Sequence, residues 1–149
     1  MKLKTGIRAV VADGGHGIIF ENEGTAIAPE LIAQRVYDQE NPRIHELGRD
    51  QPPRTVQSAD ARCSSHEAPD LHQVAEDRFI ARIVADLEAD AARGAFKAIA
   101  VVAPPVALGQ IRKSIKGELS KRIIAWIDKD LTKHPVPAIA EAVARAMEN

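Results

Sequence analysis

An α/β domain built on a mixed five-stranded sheet is the fold the sequence predicts, on three observations. The chain is 45% apolar but only 3% aromatic, so its core has to be assembled from Ile, Val, Leu and Ala on regular elements. Residues 7–12 and 98–103 are nearly continuous apolar runs rich in valine and isoleucine, the pattern of strands covered on both faces. The second of these runs and the last strand are each preceded by a segment with helical periodicity, as in strand–helix–strand crossovers.

The first strand, 7–12, ends at Asp13-Gly14-Gly15, where two glycines permit the positive φ angles of a tight turn, and residues 17–21 resume an apolar strand. A hairpin follows. Residues 31–37 form a third strand, because Val36 and Tyr37 favour extended backbone and Pro29 marks a break before them. Periodicity then disappears over 38–70, where Pro42, Pro52, Pro53, Pro69 and Gly48 stand among serines and mixed charges. This is a long irregular loop inside one domain spanning 1–149, and loops of that length are either functional or disordered.

Asp70 can cap the next helix, with Gln73 completing a capping box behind Pro69. Leu71, Ala75, Phe79, Ile83 and Leu87 recur every fourth residue, Val74, Ile80 and Val84 widen the stripe, and Glu76, Asp77, Asp86 and Asp90 occupy the opposite side. Gly94 is the stop signal. After the strand at 98–103, Pro104-Pro105 ends the ladder and Pro105 opens a helix with Leu108, Ile111 and Ile115 on one face. Gly117 ends that helix before a connection through Leu119, and 122–127 reads as the last strand. From Pro137, a final helix carries Ile139, Ala140, Val143, Ala144 and Met147 on one side. Right-handed crossovers make the first, fourth and fifth strands parallel, while the hairpin makes the second antiparallel, so the simplest sheet order is 3-2-1-4-5.

Composition excludes several classes of function. Lys and Arg number 20 against 21 Asp and Glu, a net charge of −1, so no chain-wide field attracts polyanions and any such site has to be local. Cys63 is the only cysteine, which excludes an intramolecular disulfide framework and a Cys-rich zinc site. The first residues lead straight into a short apolar run without the pattern of a cleaved signal, and nothing approaches the roughly 18–20 apolar residues of a membrane span. A cytoplasmic location without membrane contact is expected.

If the three parallel strands hold, Asp13, the Pro104-Pro105 turn and Asp128 to Asp130 meet in one crevice, where ligands of open α/β sheets commonly bind. One reading is a metal-dependent nuclease or hydrolase, with Asp13, Asp128 and either Asp130 or Glu118 holding Mg²⁺. The plainer reading is turn and capping aspartates, since Asp-Gly is ordinary turn vocabulary. Gly14-Gly15-His16-Gly17 would cradle phosphate only ahead of a helix, and an apolar strand follows it. The five histidines lack helical ligand spacing. His66 and His72 could meet near Asp70, but exposed loop histidines explain them more simply, and Cys63 has no activating neighbour in sequence. No catalytic, metal or cofactor residue is therefore assigned.

The strongest local asymmetry is the segment 110–134. It carries Arg112, Lys113, Lys116, Lys121, Arg122, Lys129 and Lys133 against Glu118, Asp128 and Asp130. It could rest on RNA phosphates, with Trp126 or a loop arginine stacking on a base, or be only a solvated helix side. The long loop adds Arg54 and Arg62, which would reach an anionic group if the loop ordered on a partner at the crevice, a protein partner included. The candidate binding residues are Asp13, Arg54, Arg62, His72, Pro105, Arg112, Lys113, Asp128, Lys129 and Asp130.

An ordered set of motifs runs through nearly the whole chain: Asn41-Pro42; Leu47-Gly48-Arg49-Asp50-Gln51-Pro52-Pro53-Arg54; Asp70-Leu71-His72 with Phe79; Val102-Ala103-Pro104-Pro105 followed by Leu108-Gly109 and Arg112; and Asp128-Lys129-Asp130-Leu131-Thr132. By these the chain resembles the bacterial host-attachment protein family. The resemblance implies a fold similar to the central domain of archaeal and eukaryotic-type release factors, whose sheet order it shares with ribonuclease-H-like domains, and hence association with RNA or the ribosome. Release factors trigger peptidyl-tRNA hydrolysis with a Gly-Gly-Gln tripeptide, whereas here Gly14-Gly15 precedes His16, so a hydrolysis-triggering role is not expected. Attachment would then be affected indirectly, from inside the bacterium.

Overall fold

The computed structural model describes residues 2–39 and 71–148. Apart from Asp38 and Gln39, the expected loop 38–70 lies outside the described residues, and with it Arg54, Arg62, Cys63, His66 and the capping residue Asp70. The elements are β1 (Arg8–Ala12), β2 (His16–Asn22), β3 (Leu31–Asp38), α1 (Leu71–Ala92), β4 (Ile99–Ala103), α2 (Pro105–Ser114), α3 (Glu118–Arg122), β5 (Ile123–Asp128) and α4 (Val136–Glu148).

The strands form one sheet in the order β3-β2-β1-β4-β5. β1 pairs antiparallel with β2 and parallel with β4, and β4 pairs parallel with β5, as the crossovers require. Central β1 and β4 are buried on both faces, which is why their sequences are continuous apolar runs. Their alternate residues feed separate layers. Val10, Ala12, Val101 and Ala103 pack under Phe79, Ile80, Ile83 and Leu87 of α1 and Leu108 and Ile111 of α2. Ala9, Val11, Ala100 and Val102 meet Ile139, Ala140, Val143 and Met147 of α4 on the other face.

A bulge interrupts the outer hairpin between Ile19 and Phe20: Ile19 pairs with Arg35 but Phe20 pairs with Ala33, leaving Gln34 as the extra residue of β3. Leu31 and Tyr37, an even number of residues apart, therefore enter opposite core layers. That is why the strand alternates poorly in sequence.

Several local expectations need correction. Gly14 and Gly15 are not in the left-handed region; among the described glycines that conformation belongs to Gly6, Gly94 and Gly117. Gly94, at φ +74°, does stop α1, with its amide bonded to the Ala91 carbonyl at 3.0 Å. α2 ends at Ser114 instead of Gly117, and the connection through Leu119 is a helical turn, α3, that buries that leucine. Five residues are too few to show a period, and Arg122 belongs to this turn, not to β5. Leu71, assigned to the buried stripe of α1, is 78% exposed.

Asp90, assigned to the solvent side, is buried. It accepts from Arg8 at 3.1 Å and Arg35 at 3.3 Å and also from Arg93, while Arg8 reaches Glu21 at 3.0 Å, so one carboxylate ties α1 to β1, β2 and β3. Burial raises its pKa, but Arg93 and Arg35 outweigh burial and hold it below the ordinary value. Nearby, burial and a 2.6 Å hydrogen bond donated to Asp86 push the Tyr37 phenol up to about 12, against a smaller opposing effect of Arg35. A second buried polar residue, Asn22, donates to the Leu3 carbonyl at 2.9 Å and accepts from the amides of Gly24 and Glu30 at 2.9 and 2.8 Å.

Candidate functional site

Because β1, β4 and β5 are parallel, their carboxyl ends form one rim, where Asp13, Pro104-Pro105 and Asp128 follow the three strands directly. The rim brings together Asp13 and the segment after β5. The Thr132 hydroxyl lies 2.9 Å from Asp13 Oδ2 and 3.2 Å from Asp130 Oδ1, and the Lys129 amide donates to the Ala103 carbonyl at 3.1 Å. Asp13 Oδ1 accepts from the amides of Gly15 and His16, both at 2.7 Å. Burial raises the Asp13 pKa, yet those two amides, the Thr132 hydroxyl and the nearby His16 together bring it below the ordinary carboxylate value. Asp13 thus fastens the β1–β2 turn to the loop that follows β5. Asp128 is exposed and stands two strands away, with β4 between. Among the described residues no three His, Cys, Asp or Glu side chains are grouped as metal ligands.

Beside the rim, a cavity of about 150 Å³ opens between Gly14, the first turns of α1 and the start of α2. Ile80, Pro104, Val106 and Ala107 make most of its wall apolar, with the carboxylates of Glu76 and Asp77 and the amides of Gln73 and Gln110 around it. Gly14 approaches Glu76 closely, and a Cβ on it would lie 2.6 Å from Cδ of Glu76 and displace that flexible side chain. Gln73, expected to close a capping box, instead donates to Asp77 at 2.9 Å. His72 is exposed in the first turn of α1, and Pro105 is exposed as the first residue of α2. The phosphate cradle considered at Gly14-Gly15-His16-Gly17 has no helix start directly behind it, because strand β2 follows the turn.

The basic segment lies to the side, along α2, α3 and the free edge of β5. Arg122 is spent internally, donating to the Phe96 carbonyl at 2.7 Å and to Glu118 at 3.0 Å. Arg112 lies over the indole of Trp126, its guanidinium carbon 4.5 Å from the ring centroid. Lys113, Lys116, Lys121, Lys129 and Lys133 are all exposed and make no ion pair among the described residues. Arg112 and Lys113 also sit in the last turn of α2, where cations offset the helix dipole. Of the ten candidate residues, Asp13 and Asp130 are joined through Thr132 at the rim, Lys129 and Asp128 flank them, Arg112 and Lys113 lie along the basic side, and Arg54 and Arg62 fall outside the described residues.

Sheet order, paired crossovers and a loop-bearing rim define this chain as an α/β domain of the release-factor type. It belongs to bacterial archaeo-eukaryotic release factor family 12, whose sequence model matches residues 4–143. Among solved structures it is similar to an archaeal translation termination factor, aRF1, with 12% identity and a TM-score of 0.48 over 95% of this chain and 39% of that one. It is also similar to Dom34 of S. cerevisiae, a translation termination-like factor involved in RNA quality control pathways and interacting with Hbs1, with 13% identity and a TM-score of 0.41 over 97% of this chain and 37% of that one. The chain thus spans well under half the length of either structure. Comparison with curated proteins gives no match. No helix among the described residues is long and apolar enough to cross a membrane.

Proposed function

We propose that this chain is a cytoplasmic binding domain that recognises RNA, ribosomal RNA included, through the flank formed by Arg112, Lys113 and Lys129 beside the rim. The observation that carries this reading is the set of exposed lysines without ion-pair partners on α2, α3 and the end of β5, in a chain whose net charge is −1. Phosphates are recognised by such local positive fields, and the counterions they release make the affinity fall with salt. Membership in a release-factor family supports RNA as the anion. The carboxylates at the rim have a different job: Asp13 is taken up by its own turn and by Thr132, so the reading gives it a positioning role and assigns no hydrolysis to Asp128. An effect on host attachment would follow indirectly, through the translation or turnover of transcripts.

The test is sedimentation with ribosomes at low salt. Wild type is expected in the ribosomal pellet and to leave it as salt rises, while Arg112→Glu with Lys113→Glu stays in the supernatant. Equal sedimentation of the two proteins rejects the assignment.

A further inference from the structure

We propose that Trp126 and Arg112 form a seat for an unpaired RNA base, so that the basic flank selects single-stranded over double-stranded RNA. This rests on the RNA reading above and adds the form of RNA that is bound. The chain has five aromatic residues, and Tyr37, Phe20, Phe79 and Phe96 are each at most 5% exposed, committed to the core. Trp126 alone is half-buried. It sits on β5, an edge strand with no neighbour beyond it among the described residues, and its inner side packs on the core layer beneath α1 and α2.

Two features make this ring a platform. The Arg112 guanidinium stacked on the indole is planar and charged, and its outer face can take a base as a third layer. Along the same edge, on the α4 face of the sheet, Ala125 to Lys129 border an open groove of about 530 Å³ closed by Arg145 and Ala146. That volume lies within the roughly 300–1,000 Å³ of small-ligand sites. Lys129 makes no ion pair among the described residues, so a cation stands ready for the phosphate next to a seated base. In an A-form duplex the bases are stacked on one another and closed to aromatic side chains, so a duplex would meet only the lysines.

Trp126 is the only tryptophan, which makes its emission a direct reporter. The full chain would be titrated with labelled oligouridylate, oligoadenylate and a duplex of equal length, following label anisotropy and indole emission together. Single strands are expected to bind and quench the emission saturably, while the duplex binds more weakly and leaves it unchanged. Trp126→Leu should lose about tenfold in single-strand affinity, the effect of losing one stacked base, while Trp126→Phe keeps most of it. Arg112→Lys, which keeps the charge without the plane, should weaken single strands and spare the duplex. Binding without quenching, or an equal loss for both forms of RNA in Trp126→Leu, overturns the seat and leaves RNA recognition standing. Absence of oligonucleotide binding overturns the seat, and if sedimentation with ribosomes is also indifferent to Arg112→Glu with Lys113→Glu, the RNA reading falls with it.

Discussion

Replacing Asp90 by asparagine removes one charge from the most heavily coordinated carboxylate described in the fold. Its three partners differ in screening: the Arg8 side chain is 13% exposed, that of Arg35 40% and that of Arg93 62%, against 3% for Asp90 itself. The Arg35 and Arg93 pairs are open enough to count as surface pairs, worth about 0–1 kcal/mol each. The Arg8 contact is a buried, charge-assisted hydrogen bond, worth about 1.5–3 kcal/mol. Asparagine keeps the shape and one acceptor, so the net loss at neutral pH is about 2–4 kcal/mol. In urea titrations the midpoint should fall with little change in slope. The pH dependence fixes the sign. A carboxylate whose folded pKa is depressed contributes stability above its unfolded value of about 3.8, and that contribution is lost as pH falls through the folded pKa. The gap between wild type and Asp90→Asn should therefore be constant near neutrality and close in acid. A loss under about 1 kcal/mol, or a gap that widens on acidification, would refute the coupling of α1 to the sheet through this residue.

Asn22→Ala should cost about 2–4 kcal/mol in thermal or urea melts, because the amides of Gly24 and Glu30 and the Leu3 carbonyl lose their partner, and a loss below about 0.5 kcal/mol would contradict it. Asp13→Ala should free the amides of Gly15 and His16, so their hydrogen exchange should quicken at least tenfold while that of the β4 amides is unchanged; uniform exchange across the sheet would show that Asp13 does not fasten the turn.

Much of the fold was legible because its strongest signals are simple. Uninterrupted apolar runs at β1 and β4, a four-residue stripe on α1 and prolines at the strand–helix junction each have one structural solution, and the handedness of crossovers then orders the strands. Features that depend on pairing across distance were not legible. Asp90 reads as a surface acid on a helix because nothing local announces Arg8 and Arg35, which arrive from β1 and β3. Asn22 looks like a strand terminator until the chain start is laid beside it. At the rim, the sequence supplied Asp13 and Asp130 as neighbours of a crevice, but Thr132, the hydroxyl that joins them, reads as an ordinary polar loop residue until the two segments are laid together. Stacking of Arg112 on Trp126 was likewise invisible, since the two residues are fourteen positions apart and meet only when α2 lies along β5.

The extra residue at Gln34 makes the length of β3 carry information that its composition does not. Flatten the bulge while keeping all eight residues and Arg35 and Tyr37 would fall on the Leu31 side, taking the guanidinium from Asp90 and the phenol from Asp86; remove Gln34 itself and the ladder becomes regular with both residues still on the α1 side. Point substitutions along this edge can be absorbed one at a time, whereas a slip of one residue in its pairing would rewrite every contact downstream at once.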